Sequence, residues 1–346
     1  MRILLTGSYD PTYNRTAIIL SGLRQLGVDF IEWPLRKVRG PEIRSVAAGD
    51  ACDVIFLPSF THKSVRKIRN AFPNTPIVFD PLISRYLTKV HDYRNIKWYS
   101  PHALTTYLSD IRTFNTADIV LADTKAHADY YRDHLKVPES KLRVVPVGVD
   151  CGAFTPPSST TAPSRARPLI GFYGSFNPLQ GIDTIIKAAA IREDCDFEII
   201  GDGFVGDDIR HLVAKLGVKN VRLTGWVPYQ ELPQRIASYD IALGIFGTTA
   251  KAPLVIPNKI FHYAACAKPI ITIDTPAIRE VFCDDLNIKL IPPSEIALAE
   301  TISKLVSEPD KLRQLGTAAR NLMLSRYDAR HIGEAVAAAC KDALAK

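Results

Sequence analysis

The sequence predicts an α/β protein of two doubly wound, Rossmann-like domains, and three observations carry that expectation. Apolar runs of strand length recur along the chain with helix-length segments between them, the pattern of parallel sheets covered by helices on both faces. The stretch T-P-P-S-S-T-T-A-P-S-R-A-R-P at 155–168 interrupts the alternation once and reads as a linker. The chain's 346 residues are long for one domain, and a hydrophobic content of 47% is enough for two cores.

Each element has its own justification. R-I-L-L-T-G (2–7) is an apolar run closed by a glycine turn, and A-I-I-L-S-G-L-R-Q-L-G (17–27) follows with helical spacing. D-V-I-F-L-P-S-F (53–60) is the next strand, followed by a helix from about Ser64; P-I-V-F-D (76–80) leads to a long helix ending near Thr116. D-I-V-L-A-D (118–123), a helix through Tyr131 and L-R-V-V-P-V-G (142–148) complete the first half. After the linker the alternation restarts with P-L-I-G-F-Y-G-S-F (168–176), a helix to Ile191, D-F-E-I-I-G-D-G (196–203), a helix to Leu216, V-R-L-T-G-W-V (221–227), and a short helix to Tyr239. D-I-A-L-G-I-F-G (240–247), a helix from about Asn258 and P-I-I-T-I-D (269–274) follow. Ligands of such sheets bind beyond the carboxyl ends of the strands, here the loops after Leu5, Phe79, Tyr173, Ile200, Thr224, Ile245 and Ile273.

Composition narrows the class. The six cysteines, Cys52, Cys151, Cys195, Cys266, Cys283 and Cys340, have neither zinc-ligand nor disulfide-framework spacing, which suits a reducing compartment. No uninterrupted apolar run approaches the roughly 18 residues of a spanning helix, and M-R-I-L-L-T-G-S-Y-D does not read as a signal peptide, so a cytoplasmic protein is expected. Residues 1–150 carry 21 Lys and Arg against 15 Asp and Glu, nearly all of the net charge of +7, which points to an anionic partner for that half.

The densest chemical signal lies at 255–272, V-I-P-N-K-I-F-H-Y-A-A-C-A-K-P-I-I-T. Pro257 suits the first position of a helix, whose N-terminus offers unpaired N–H groups and a positive dipole end. Lys259 in that first turn is unfavourable unless an anion offsets it, and His262, three residues on, shares its face. The bland reading is a solvated lysine and a surface histidine. Three successive strand ends carry glycines that permit close backbone approach: G-S-F-N-P-L-Q-G at 174–181, G-D-G at 201–203 and the L-T-G-W-V-P run ending at Pro228. Each alone is a tight turn; together, followed by Lys251 and the Lys259 helix, they point to a phosphate-bearing ligand.

Over about 120–340 the chain resembles the family 4 glycosyltransferases of the GT-B fold. The resemblance rests on D-T-K-A-H-A-D-Y-Y, L-R-V-V-P-V-G-V-D-C-G-A-F-T-P, F-E-I-I-G-D-G, V-R-L-T-G-W-V-P, Y-D-I-A-L, P-N-K-I-F-H-Y-A-A-C-A-K-P-I-I-T and P-P-S-E-I-A-L-A-E-T-I, in the family's order and spacing. It implies two Rossmann-like domains facing across a cleft: 1–154 for the acceptor, a linker 155–168, 169–326 for the nucleotide sugar, and a last helix at 327–346 returning to the first domain. It also implies retaining transfer of a sugar from a UDP- or GDP-type nucleotide diphosphate sugar, with no required metal. Gly174 and Gly181 match the family's phosphate loop, Trp226 and Val227 fall where the base is read, and Glu280 follows the last donor loop. Gly201, Gly203 and Asn258 complete the expected donor contacts.

Four positions depart from the family's pattern. Ser175 and Gln180 stand where a basic pair is usual, and Leu254 and His262, eight residues apart, stand where two glutamates are usual. A departing diphosphate needs fixed positive potential, which Lys251 and Lys259 are expected to supply, Lys259 catalytically. A neutral imidazole at 262 can hold one ribose hydroxyl. A relative that binds a glycan or partner enzyme without catalysis is the alternative, and a sugar-nucleotide epimerase on the same fold ranks lower.

In the first half, Asp80 is expected to orient the acceptor, or to serve as a cap or turn residue. Gly7, Arg85 and His91 are the further acceptor candidates, the last two within the basic and aromatic run R-Y-L-T-K-V-H-D-Y-R at 85–94. On the helix at 62–72, Val65, Ile68 and Phe72 share one face and Lys63, Arg66, Lys67 and Arg69 another. That basic face reads as solvated or as a peripheral contact with anionic lipid. No nucleic-acid-binding motif accompanies the charge.

Overall fold

The computed structural model describes residues 1–35, 52–156 and 166–345. Residues 157–165 of the expected linker lie outside the described residues. The chain divides into two compact units, Met1–Gly148 with Ala329–Lys346, and Val149–Asp328.

The first unit is a six-stranded sheet in the order β2-β1-β3-β4-β5-β6, formed by β1 (Arg2–Gly7), β2 (Asp29–Pro34), β3 (Val54–Leu57), β4 (Ile77–Phe79), β5 (Ile119–Ala122) and β6 (Leu142–Val144). Every pairing is parallel. Central β3, β4 and β5 are wholly buried apolar runs, as strands covered on both faces must be. Strand β2 escapes the sequence reading because Asp29 and Glu32 break its apolar run; among the described residues it pairs with β1 alone and leaves most of its residues exposed.

Helices α1 (Asn14–Gln25), α2 (His62–Ala71), α3 (Pro101–Thr116) and α4 (Lys125–Leu135) connect these strands. On α2, Val65 and Ile68 are fully buried while Lys63, Arg66 and Lys67 are exposed. Arg69 leaves that basic face: it pairs with Asp118 and donates to the carbonyls of Pro73 and Thr75.

The second unit repeats the plan, with β7 (Leu169–Tyr173), β8 (Asp196–Ile200), β9 (Val221–Gly225), β10 (Ile241–Leu243), β11 (Ile270–Ile273) and β12 (Lys289–Ile291) in the order β12-β11-β10-β7-β8-β9. Its helices are α5 (Ile182–Ile191), α6 (Gly206–Leu216), α7 (Leu232–Ala237), α8 (Asn258–Ala265), α9 (Pro276–Arg279), α10 (Glu295–Ser307) and α11 (Pro309–Leu322). No helix among the described residues is long and apolar enough to cross a membrane.

The last helix, α12 (Ala329–Leu344), packs on α1 in the first unit, burying Ile332, Val336, Ala339, Cys340 and Ala343 with Ile18, Ile19 and Leu23. The two backbones nearly touch: a Cβ on Gly333 would lie 2.4 Å from the carbonyl carbon of Gly22, and one on Gly22 would lie 2.1 Å from Ala329 O. Only residues without a side chain fit this crossing.

A buried ion pair ties α1 to the sheet. Arg15 Nε donates to Asp80 Oδ2 at 2.7 Å, both side chains being at most 1% exposed. Its Nη1 and Nη2 donate to Pro146 O and Val145 O at 3.1 and 3.0 Å. Since β5 lies between β4 and β6, the guanidinium spans the carboxyl end of β5.

Two outcomes follow from this packing. Gly333→Val is expected to push α12 off α1 and lower stability by about 1–3 kcal/mol, as overpacking does, and limited proteolysis should then clip the last helix first. Asp80→Ala, which strands Arg15 as an uncompensated buried charge, is expected to cost about 3–5 kcal/mol in denaturant unfolding, with Arg15→Met in the same chain restoring part of the loss.

Candidate functional site

In the second unit the carboxyl ends of β7, β8 and β9 are joined backbone to backbone. Gly174 N donates to Ile200 O at 3.0 Å, Phe176 N to Asp202 O at 2.9 Å, and Gly201 N to Gly225 O at 2.8 Å. A Cβ on Gly201 would stand 2.0 Å from Gly174 O, and one on Gly203 would stand 3.0 Å from Phe176 N. The glycines singled out at these three strand ends are therefore one contiguous edge, where ligands of open sheets bind.

The loop from Gly174 is shaped by both of its ends. Gly174 has φ 152° and Gly181 φ 62°, and a Cβ on Gly181 would meet Gly247 N at 2.3 Å. Between them Phe176 and Leu179 are buried, Ser175 is exposed, and Gln180 is turned inward at 7% exposure.

Gln180 points at Lys259. Helix α8 starts at Asn258 with Pro257 as its N-cap at φ −64°, one residue earlier than the first-turn proline expected. Lys259 is 3% exposed. Its Nζ donates to Gln180 Oε1 and lies 3.5 Å from the centroid of the Phe172 ring. A Cβ on Gly174 would come within 2.9 Å of Nζ, so the glycine leaves the amine room beneath the loop. Among the described residues no carboxylate pairs with Lys259. Burial holds its pKa well below the usual 10.5. The amine is thus buried without an anion, an arrangement that disfavours its charged form, and the Phe172 face offsets only part of that cost.

His262 sits one turn further along α8 at 1% exposure. Phe154 stacks on it with centroids 3.9 Å apart and planes at 11°, and Tyr229 meets it edge-on at 6.0 Å. Burial lowers its pKa to about 3, so the ring is neutral. Its Nδ1 bonds the hydroxyl of Tyr173, whose own pKa burial raises well above 10.0, so Tyr173 donates. Tyr173 N donates in turn to Tyr263 Oη at 3.0 Å. Two consecutive residues of α8 therefore hold Tyr173, the residue before Gly174.

The other expected donor residues follow the carboxyl ends of β9, β10 and β11. Trp226 is 65% exposed at the end of β9, with Val227 half-buried beside it. Lys251 and Asn258 are half-buried, Lys251 capping the short turn Ala252–Leu254. Glu280 is exposed at the end of α9.

In the first unit, Asp80 follows β4, and Gly7 ends β1 with φ 111°. Arg85 donates to Asp110 Oδ1 at 2.8 Å and to Ser109 Oγ at 3.0 Å; His91 packs edge-on against Tyr86 at 5.2 Å, and burial lowers its pKa. The sequence reading missed Arg15 and the pair at the end of β5, where His127 Nδ1 bonds Asp123 Oδ1 at 2.6 Å. Asp80 Oδ1, His127 Nε2 and the Tyr131 hydroxyl are buried without hydrogen-bond partners among the described residues. The spacing of Asp123 and His127, one helical turn apart in D-T-K-A-H, was the available signal.

The family described as glycosyl transferase-like matches residues 183–338. The α-D-kanosaminyltransferase of Streptomyces kanamyceticus is 21% identical over 184 residues, 49% of this chain and 45% of that one. A D-inositol 3-phosphate glycosyltransferase of Segniliparus rotundus is 24% identical over 234 residues, 63% of this chain and 51% of that one. The chain spans about half the length of the curated relatives it matches. Among solved structures, HepE of Anabaena in complex with UDP and glucose superposes with a TM-score of 0.74 at 17% identity, covering 98% of each chain. Sucrose-phosphate synthase of Thermosynechococcus elongatus superposes at 0.79 and 14% identity, covering 100% of this chain and 99% of that one. With two six-stranded parallel sheets, each flanked by helices, the chain has the GT-B fold of the glycosyltransferases.

Proposed function

We propose that this protein is a retaining glycosyltransferase that takes a sugar from a nucleotide diphosphate sugar of the UDP or GDP type, without a required metal, and passes it to a glycan or lipid-linked acceptor. The observation that carries the reading is Lys259, a buried amine without a carboxylate partner, under a glycine loop at the joined ends of three strands. A diphosphate at the Gly174 loop gives that amine its counter-charge. As the sugar–phosphate bond breaks, the charge developing on the departing diphosphate strengthens the contact, so Lys259 acts more on the transition state than on the bound donor. Support for a uridine donor comes from HepE, whose structures hold UDP and UDP-glucose.

In this reading Lys259 replaces the family's basic pair, and Gln180 and Phe172 orient its amine. His262, expected at the ribose, is assigned to positioning: with Tyr263 it holds Tyr173 and so sets the start of the phosphate loop. Trp226 and Val227 are assigned to the base, and Gly201, Gly203, Lys251, Asn258 and Glu280 to the surroundings of the donor. Retention follows if the donor phosphate takes the acceptor hydroxyl's proton on the face the diphosphate leaves, which requires no protein nucleophile. Gly7, Arg85 and His91 are assigned to the acceptor end, while Asp80, expected to orient the acceptor, is fully buried on Arg15 and is assigned to holding that end in place.

Melting in the presence of nucleotides tests the proposal. UDP or GDP and their sugars, with chelator present, are expected to raise the melting temperature; a ligand at about 100 times its Kd stabilises by roughly 2.7 kcal/mol. Millimolar UDP, GDP, ADP, dTDP and CMP derivatives that all leave the melt unmoved, with calorimetry silent, would favour the non-catalytic glycan-binding relative.

Lys259→Met separates stability from function. The unliganded variant is expected to melt at or above the wild type, because a buried polar amine without an anionic partner is replaced by an apolar side chain, while kcat/KM falls at least about 10²-fold. The pH dependence has a definite sign. With the folded-state pKa well below 10.5, the unfolded chain binds the extra proton between the two values, so wild-type stability rises with pH across that window and is lost as pH falls through it. The variant should lack this slope. Diphosphate binding, which restores the charge, should take up protons in calorimetry across buffers of different ionisation enthalpy.

His262→Ala and Tyr173→Phe are each expected to weaken nucleotide binding about threefold to tenfold, on the scale of one hydrogen bond. If His262 acts through Tyr173, the double variant should be no worse than the worse single one. Additive losses would return His262 to direct ribose contact.

A further inference from the structure

Four exposed apolar side chains of the first unit lie on one short segment, at the start of α3 and along its first turns. Trp98 is 72% exposed, Tyr99 66%, Leu104 58% and Leu108 40%. Trp98 and Tyr99 immediately precede Ser100, the N-cap of α3, and their rings meet edge to face with centroids 5.6 Å apart. Leu104 and Leu108, four residues apart, share one face of α3. Scattered exposed hydrophobics are ordinary, but an apolar stripe headed by a tryptophan and a tyrosine marks an interaction surface.

Charge selects the occupant. From 93 to 109 the sequence contains Arg94, Lys97 and His102 and no Asp or Glu. Arg94 and Lys97 are exposed, and Lys97 Nζ lies 6.0 Å from the centroid of the Tyr99 ring. Helix α2, which presents Lys63, Arg66 and Lys67 to solvent, packs directly against α3. Aromatic rings with a polar edge, aliphatic side chains and flanking cations, with no acidic residue in the segment from 93 to 109, match the boundary of an anionic bilayer: the rings sit at headgroup level, the leucines reach the acyl boundary and the cations meet lipid phosphates. A protein partner of equal apolarity would not select this one-signed rim. A soluble glycan would use the rings and leave the leucines uncovered.

We infer that Trp98, Tyr99, Leu104 and Leu108, flanked by Arg94, Lys97 and the basic face of α2, form a surface that seats the first unit on an anionic membrane. The inference does not depend on the reaction. It relocates the lipid contact expected from the sequence: the cations of α2 attract the surface, and the aromatic and leucine side chains enter it.

Vesicle flotation and tryptophan emission of the full chain test it, with phosphatidylcholine vesicles alone or mixed with phosphatidylglycerol. Mixed vesicles are expected to float the protein and shift part of its emission to the blue, a component missing in Trp98→Phe and quenched by lipids labelled in the upper acyl chain. Tyr99→Ser with Leu104→Ser should lower recovery about tenfold or more, since less apolar area enters the interface. Lys63→Glu with Arg66→Glu should lower recovery on mixed vesicles at low salt and leave the melting temperature unchanged, as exposed changes do. The idea is overturned if recovery is equal for wild type and Tyr99→Ser with Leu104→Ser. It is equally overturned if soluble oligosaccharide or glycerol phosphate alone produces the Trp98 shift, or if sedimentation shows Trp98 covered by a second copy of the chain.

Discussion

The site in the second unit depends on burying one amine without a carboxylate. Lys259 is shut beneath the Gly174 loop, and its contacts, the Gln180 carbonyl oxygen and the Phe172 ring, are neutral. Desolvation of an ammonium is among the larger penalties a fold can carry, and here it is not repaid internally. Such a group is electrostatically unsatisfied within the protein, and in the proposed reading an anion supplies what it lacks. The surrounding structure serves that arrangement: glycine at 174 leaves space for Nζ, Gln180 aims it, and His262 and Tyr263 hold Tyr173, from which the loop departs.

The first unit solves the same physical problem in the opposite way. Arg15 is as deeply buried as Lys259, but it meets Asp80 and two backbone carbonyls, so its charge is matched inside the protein. A matched buried pair specifies geometry, locking α1 to the ends of β4 and β6, whereas the buried amine of Lys259 has no such internal match. Both lie at the carboxyl ends of parallel strands, where helix N-termini and free backbone groups converge.

The substitutions that separate this chain from the usual glycosyltransferase pattern become one coupled change in the structure. Gln180 stands where a basic residue is usual and accepts from Lys259, so the cation is presented by α8 instead of by the loop. The histidine at 262 is neutral and packed between aromatic rings. A carboxylate there would be buried against Phe154 at high cost. In the proposed reading, the absence of the usual charges at 180 and 262 and the burial of Lys259 belong to one site.

Much of the fold was legible because its signals are local. Buried parallel strands are continuous apolar runs, glycines end them, and helical segments lie between, so β3, β4, β5, β7, β8, β10 and β11 stand out in one dimension. Strand β2 and the three-residue β12 did not, since an exposed edge strand and a very short one carry little apolar signal. The glycine loops and the helix starting at Asn258 were equally readable, as was the anomaly of a lysine in its first turn. Tertiary structure alone decided what that lysine meets: whether Lys259 is solvated or buried depends on Gln180 and Phe172, 79 and 87 residues away. It also decided that Arg15 pairs with Asp80 and that Trp98 stands in solvent. Periodicity is written between neighbours, whereas desolvation and ion pairing depend on which distant segments the sheet brings together.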